Sequence, residues 1–226
     1  MPTVLITGAN RGIGLEFARQ YAADGWRVLA ACRNPGAARH LKEIKGDIEL
    51  HPLDVREDEQ IPDLAMTLAK ESIDILVNNA GVIGPREHFR KTDTSSWLEV
   101  FHINSIAPAR MAEAFADHLE RSSRKLIVNI TSKMGSITDN TSGGSYVYRS
   151  SKAALNMVAK TLAVDLAARG ITVVLFHPGW VRTDMGGPSA LITPRESVAG
   201  MREKIATLTP ADSGKFFNFD GRPLPW

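Results

Sequence analysis

Short apolar runs alternate along the chain with longer segments in which apolar residues recur every three or four positions. The short runs are typical of strands, and the longer segments are typical of helices. Strands are predicted at residues 3–7, 27–31, 48–52, 73–77, 125–130, 171–176 and 215–219. Helices are predicted at residues 14–23, 57–70, 95–119, 148–168 and 196–207.

This alternation of strand and helix indicates an α/β fold in which helices cover both faces of a parallel sheet. The predicted strands are nearly continuous apolar runs, as expected for strands buried on both faces. No internal repeat, low-complexity tract or linker rich in Pro, Gly or Ser interrupts the pattern. We therefore expect a single doubly wound Rossmann domain over residues 1–226, with a parallel sheet of about seven strands.

Composition and charge narrow the class of protein. The net charge is +2 with neutral histidines, which gives no basic footprint for nucleic acid. Cys32 is the only cysteine, so an intrachain disulfide and a cysteine-based zinc site are excluded. The six histidines are scattered without a pair four residues apart, so no metal site is expected. The chain starts without a signal-peptide pattern and has no apolar run near the roughly 18 residues of a membrane span, which predicts a cytoplasmic protein.

The unusual segments of the sequence follow the predicted strands. In an open parallel sheet, ligands bind beyond the carboxyl ends of the strands, so these segments should meet at one edge. They are Gly8–Gly14, Arg33, Asp54, Asn78–Gly81, Ser132 and Pro178–Thr183.

The first of these segments has glycines at positions 8, 12 and 14. Such a turn lets the backbone approach a diphosphate, and the helix that follows offers its N-terminal N–H groups to the phosphates. The spacing is Gly-x-x-x-Gly-x-Gly and differs from the common dinucleotide fingerprint. The loop alone is therefore also compatible with a purely structural tight turn.

The end of the second predicted strand bears on the choice of cofactor. An NAD site usually has an acidic residue about 20 positions beyond the glycine loop, which binds the ribose 2′-OH. Cys32 and Arg33 stand there instead. The guanidinium of Arg33 can bind a 2′-phosphate, and Arg11 adds a second positive charge near this corner. Either arginine by itself could be an ordinary solvated side chain, but the two together favour NADP(H).

The ordered motifs resemble those of the short-chain dehydrogenase/reductase family over essentially the whole chain. The motifs are Thr7–Gly14, Asp54, Asn78–Gly81, Asn104, Ser132, Tyr148-Arg-Ser-Ser-Lys152 and Pro178-Gly-Trp-Val-Arg-Thr183. Within the family, residues 129–136 and 143–152 resemble the C-factor and sniffer-type carbonyl reductases. The resemblance implies hydride transfer between a nicotinamide cofactor and a small-molecule carbonyl or alcohol.

Tyr148 and Lys152 are four residues apart and share one face of the predicted helix. A phenol with a pKa near ~10 is a weak acid–base group at neutral pH, and we expect the ammonium of Lys152, helped by oxidised nicotinamide, to lower that pKa. Tyr148 would then act as general acid or base. Ser132 would donate a hydrogen bond to the substrate oxygen.

The family resemblance also implies roles for other residues. Lys152 would bind the nicotinamide ribose, and Asn104, at a distortion in the long helix, would hold a water that connects Lys152 with solvent. Asp54 and Val55 would contact the adenine, and Val181 and Thr183 the carboxamide. The full predicted cofactor set is Gly8, Asn10, Arg11, Gly12, Ile13, Gly14, Arg33, Asp54, Val55, Asn79, Ala80, Gly81, Tyr148, Lys152, Pro178, Gly179, Val181 and Thr183.

The sequence departs from the family pattern between the two proposed catalytic side chains. Ser132 and Tyr148 are 16 positions apart, which implies a three-residue insertion around residues 138–144. Ser136 and Ser145 are therefore rival serines. Tyr146 is a rival tyrosine, although it lacks a lysine four residues later.

Two other functions remain open at this point. Epimerases and dehydratases share the Tyr-x-x-x-Lys motif but usually have a larger C-terminal substrate domain. A cofactor-bound signalling or sensor protein of the C-factor type is the alternative outside enzymology. The long helices 95–119 and 148–168 resemble those that pair in family dimers, so we expect a homodimer or homotetramer.

Overall fold

A computed structural model describes residues 1–85, 89, 91 and 93–226. Its seven strands form one parallel sheet with the order β3-β2-β1-β4-β5-β6-β7. The strands are β1 (Thr3–Thr7), β2 (Arg27–Cys32), β3 (Ile48–Pro52), β4 (Ile75–Asn78), β5 (Leu126–Ile130), β6 (Thr172–His177) and β7 (Phe216–Asn218). The predicted fold class is confirmed.

The helices lie between the strands, as predicted, with bounds that differ by at most three residues. They are α1 (Gly12–Ala23), α2 (Arg39–Lys42), α3 (Gln60–Thr67), α4 (Thr94–Phe101), α5 (Ala107–Glu120), α6 (Tyr146–Asp165) and α7 (Pro194–Ala206). The predicted helix 95–119 is α4 and α5, joined by one π-helical turn at His102–Ile106. The short helix α2 and the 3₁₀ turn Pro35–Ala37 before it were not predicted from the sequence pattern.

Two apolar layers hold the sheet between the helices. Because side chains alternate along a strand, Leu5 of β1 packs on one layer, while Val4 and Ile6 pack on the other. The first layer contains buried residues of α3, α5 and α6, and the second contains those of α1, α2 and α7. All five residues of β1 are buried, which explains why its sequence shows no polar alternation.

The strand order places the candidate site. The chain moves from β1 outward to β3 and then crosses back to β4 on the other side of β1. Such a reversal opens a crevice at the carboxyl ends of the strands. The β1–α1 loop lies at this crevice, beside the residues that follow β4.

Candidate active site

The β1–α1 loop has the geometry of a phosphate-binding turn. Gly8 and Gly12 have φ values of 65° and 54°, which residues with a side chain rarely adopt. A Cβ atom on Gly14 would lie 2.4 Å from the oxygen of Gly8, so only glycine allows this approach of helix and loop. Helix α1 begins after Arg11 without a side-chain cap and has no acidic residue in its first turn. Its N-terminal N–H groups can therefore bind an anion.

Thr7 and Asn79 fix this loop against the end of β4. The Thr7 hydroxyl accepts hydrogen bonds from the backbone N–H groups of Asn79 and Ala80, each at 3.0 Å. The Asn79 side-chain amide donates to the backbone carbonyl oxygens of Thr7 and Gly8 at 2.9 and 3.2 Å. Asn79, predicted as a cofactor contact, therefore braces the glycine loop. The sequence analysis gave Thr7 no role of its own.

The ends of β2 and β3 form a charged corner. The Leu53 N–H donates to the Cys32 oxygen at 3.0 Å, so the residues that follow them, Arg33 and Asp54, are neighbours. Arg56 donates to both carboxylate oxygens of Asp54, with distances of 3.1 Å from Nε to Oδ1 and 2.7 Å from Nη2 to Oδ2. These bonds lower the pKa of Asp54, and the charge of Arg33 adds a smaller effect in the same direction.

The segment after β6 closes the other side of the crevice. Gly179 has a φ of 83°, and Val181 forms a parallel bridge with Ile192. A Cβ atom on Gly12 would lie 3.3 Å from Thr183 Cγ2, so this segment lies next to the glycine loop.

An exposed ion pair crosses between these two loops. Nη1 of Arg11 lies 3.0 Å from Oδ2 of Asp184. Arg11, predicted as a second positive charge for the 2′-phosphate, is thus directed at a carboxylate on the opposite side of the crevice in this structure.

Tyr148 and Ser132 meet at the edge of the crevice. The Ser132 hydroxyl lies beside the Tyr148 side chain and accepts a hydrogen bond from the Met134 N–H at 3.1 Å. Gly135 lets this turn pack on α6, because a Cβ atom there would lie 2.7 Å from the backbone of Lys152. Tyr148 is 8% exposed. Burial raises the pKa of Tyr148 to about 12, and the neighbouring Ser132 hydroxyl opposes this shift.

Lys152 is buried beside the Tyr148 ring. Its Nζ lies 5.9 Å from the ring centroid and donates to the oxygen of Ile130 at 3.0 Å. Burial lowers the pKa of Lys152 to about 8. In this structure burial raises the pKa of Tyr148, and the lowering expected from Lys152 together with oxidised nicotinamide stays a prediction.

Asn104 lies in the π-helical turn His102–Ile106, which is the distortion that the family resemblance implies. Its amide exchanges two hydrogen bonds with the backbone of Val82, at 2.9 and 2.8 Å, and donates to the Ser151 hydroxyl at 3.0 Å. Ser151 in turn donates to the Tyr148 backbone oxygen at 2.8 Å. This chain connects the π turn to α6, and the sequence analysis missed Ser151.

The rival residues lie away from this cluster. The Ser136 hydroxyl donates to the Trp226 oxygen at 3.0 Å. Ser145 precedes α6 in the left-handed conformation with a φ of 48°. Tyr146 is 40% exposed. Of the serines and tyrosines considered, only Ser132 and Tyr148 lie together with Lys152.

The described residues can also be searched for a metal site and for a membrane-spanning helix. Among them, no group of three or more His, Cys, Asp or Glu side chains is placed to hold a metal ion. His88 lies outside the described residues. Among the same residues, no helix has the length and apolar character that crossing a membrane requires.

Comparison with known proteins identifies the family of the chain. Residues 2–191 match the model of the short chain dehydrogenase family, and the chain belongs to this family. The chain is 43% identical to C-signal of Myxococcus xanthus over 154 residues. This match covers 68% of this chain and 93% of C-signal.

Two solved carbonyl reductases have nearly the same fold. Carbonyl reductase Sniffer of D. melanogaster superposes with a TM-score of 0.94 at 32% identity, covering all of both chains. The NADPH-bound carbonyl reductase from chicken fatty liver gives a TM-score of 0.93 at 33% identity, covering 100% of this chain and 99% of that chain. The predicted resemblance to the sniffer and C-factor group is confirmed, and the protein is an oxidoreductase of this family.

Proposed function

We propose that the protein is an NADP(H)-dependent carbonyl reductase or alcohol dehydrogenase, with Tyr148 as the general acid or base. The observation that carries the proposal is the buried cluster of Ser132, Tyr148 and Lys152 at the edge of a crevice with a phosphate-binding turn. The NADPH in the similar chicken enzyme supports the choice of cofactor, as does the arginine at position 33.

The residues of the crevice fit a dinucleotide. The loop Gly8–Gly14 would hold the diphosphate at the uncapped start of α1. Arg33 would bind the 2′-phosphate, Asp54 and Val55 would lie at the adenine, and Pro178, Gly179, Val181 and Thr183 at the nicotinamide. When bound, the cofactor supplies the hydride that reduces the carbonyl carbon.

The catalytic residues handle the proton and the charge on oxygen. With a pKa of about 12, Tyr148 is protonated at neutral pH and can donate its proton to the carbonyl oxygen. Ser132 hydrogen-bonds the same oxygen and stabilises the charge that develops there. Lys152, mostly protonated at pH 7 with a pKa of about 8, favours the phenolate that remains. Asn104 would position a water that connects Lys152 with solvent, and a proton could return to the site through this water.

The alternative is a cofactor-bound signalling protein, which the similarity to C-signal favours. A sensor needs to bind the dinucleotide but has no need of a buried proton donor. An oxidoreductase oxidises NADPH when a substrate is present, whereas a sensor only binds it. Measuring NADPH consumption therefore distinguishes the two functions.

The test is a screen of aldehydes, ketones and quinones with the purified protein and NADPH. An oxidoreductase consumes NADPH and forms an equal amount of reduced product, an alcohol from an aldehyde or ketone and a hydroquinone from a quinone. NADPH binding without consumption across the whole screen would instead support the sensor. Tyr148→Phe provides the control, because its residual rate measures reduction that does not use the proposed acid.

Assembly and location remain predictions. Leu98, Ile106, Met157 and Val164 are exposed apolar residues on α4, the π turn and α6. These are the elements expected to pair, so we propose that they bury this face in a homodimer or homotetramer. The proposed location is the cytoplasm.

A further inference from the structure

The charged corner at the ends of β2 and β3 contains an apparent conflict. Arg33 and Asp54 are held side by side, because the Leu53 N–H bonds the Cys32 oxygen at 3.0 Å. Arg33 is exposed and free to meet a ligand phosphate from the crevice, whereas the Asp54 side chain is only 16% exposed. A dinucleotide that places its 2′-phosphate at Arg33 also brings two negative charges near an ionised carboxylate.

An unpaired carboxylate at this corner would favour the wrong cofactor. Asp54, which the proposed function places at the adenine, lies next to the residue that would hold the 2′-phosphate, and an ionised carboxylate there repels the phosphate. The charge of Arg33 adds a small effect to the lowered pKa of Asp54, so the two positions lie within electrostatic reach of each other. A phosphate held by Arg33 therefore experiences Asp54 as well.

Arg56 pairs with the Asp54 carboxylate and offsets its negative charge. It binds Asp54 in a bidentate manner, which is the strongest common arrangement of an arginine with a carboxylate. The backbone N–H of Arg56 adds a third bond to Oδ1 at 3.1 Å. Its remaining Nη1 reaches Oε1 of Glu99 on α4 at 3.3 Å. The guanidinium is thus held over the carboxylate by two neighbouring elements.

We infer that Arg56 is a cofactor-specificity residue, which favours NADP(H) by neutralising Asp54 and need not touch the phosphate itself. This inference rests on the proposed function, in which NADP(H) is the cofactor. NADH has no 2′-phosphate, so the loss of Arg56 should change its binding much less than that of NADPH, whereas any effect on the proposed adenine contact of Asp54 is shared by both cofactors. The role of Arg56 therefore lies in the difference between the two affinities.

The test is a double-mutant cycle read by equilibrium binding. The dissociation constants of NADPH and NADH are measured by fluorescence titration at low salt for the wild type, Arg56→Gln, Asp54→Asn and the double variant. We expect Arg56→Gln to weaken NADPH about fivefold, the upper range for an exposed charge pair, and to leave NADH nearly unchanged. The double variant should bind NADPH like Asp54→Asn alone, and added salt should reduce the effect.

Two further variants control for charge and folding. Arg110→Gln removes a half-buried arginine of α5 that pairs with Asp58 and Glu113, so the same change in net charge should leave both affinities unchanged. Arg56→Lys keeps the positive charge beside Asp54 and should retain most of the preference for NADPH.

The outcomes separate this inference from the proposed function. Equal affinities of the wild type for NADPH and NADH would overturn the cofactor assignment. A wild-type preference that survives Arg56→Gln would overturn only the role of Arg56. A double variant that stays as weak as Arg56→Gln would also overturn neutralisation, because it would show a direct contact between Arg56 and the cofactor.

Discussion

The two halves of the candidate site hold their polar groups in opposite ways. The residues proposed to move protons are buried and bonded to the backbone or to one another: Asn104, Ser132, Tyr148 and Lys152. The charges proposed to set phosphate recognition, directly or through a neighbour, are exposed: Arg11, Arg33 and Arg56. Arg11 pairs with Asp184 of another loop, and Arg56 pairs with Asp54 and with Glu99 of α4.

This difference in exposure has physical consequences. Burial shifts pKa values by a large amount, as for Tyr148 and Lys152. Exposed charges are screened by salt, and each contributes little alone. Changes in the buried half should therefore alter rate constants and proton binding, whereas changes in the exposed half should alter affinity in a salt-dependent way.

The largest effect is expected for Tyr148→Phe. General acid–base catalysis is typically worth ~10²–10⁴ in rate, so turnover with an accepted carbonyl substrate at saturating NADPH should fall by at least this order. NADPH affinity should largely survive, because the phosphate-binding loop is unchanged.

Tyr146→Phe is the matched control, since it makes the same ring change on an exposed residue of the same helix. Normal turnover of Tyr148→Phe, combined with a loss in Tyr146→Phe, would refute the placement of the active site across the insertion.

Lys152 should give the protein a distinct dependence of stability on pH. Below pH 8, folding buries a charged ammonium, whereas between about pH 8 and 10.5 the folded state has lost a proton that the unfolded state keeps. The free energy of unfolding should therefore rise with pH from 8 to 10, by on the order of 2–3 kcal/mol. Tyr148 acts in the opposite direction only above pH 10.

Denaturant unfolding of Lys152→Met across this pH range should lack the rise. Lys160→Met alters an exposed lysine of the same helix and should keep it. A wild-type protein whose stability is flat or falls from pH 8 to 10 would show that Lys152 is solvated.

Arg33→Ala tests whether the exposed half of the site recognises the 2′-phosphate of the cofactor. The wild type should bind NADPH at least tenfold more tightly than NADH, which is about 1.4 kcal/mol. Arg33→Ala should reduce this difference and leave NADH affinity nearly unchanged, because only the 2′-phosphate loses a partner. Titrations at low and high salt should show a smaller preference in high salt. An unchanged preference in Arg33→Ala would place phosphate recognition elsewhere.

The smallest effect on the site is expected from a change on the apolar face of α6. Val164 is 65% exposed, whereas Ala163 is 7% exposed and packs inside the subunit. Only Val164→Arg therefore tests assembly, and light scattering should show a lower mass. Met66→Arg on α3 changes another exposed apolar residue and should not alter the mass. A monomeric, active wild type would refute the predicted oligomer.

Much of the protein could be predicted from its sequence. Strand and helix bounds followed from local periodicity, because burial on both faces of a sheet leaves a direct apolar pattern. The spacing of Tyr148 and Lys152 on one helix face is also local. Gly8, Gly12 and Gly14 marked the phosphate-binding turn, because each position imposes a backbone conformation or an approach that other residues do not allow.

Tertiary structure alone decided the remaining features. The position of Ser132 after β5 could be predicted, but its approach to Tyr148 depends on how the turn after β5 packs on α6. The raised pKa of Tyr148 depended on burial by distant parts of the chain. The contacts of Arg11 with Asp184 and of Arg56 with Glu99 join residues far apart in sequence. Local patterns report which face of an element is apolar, but charge pairing and desolvation depend on the neighbours that folding brings together.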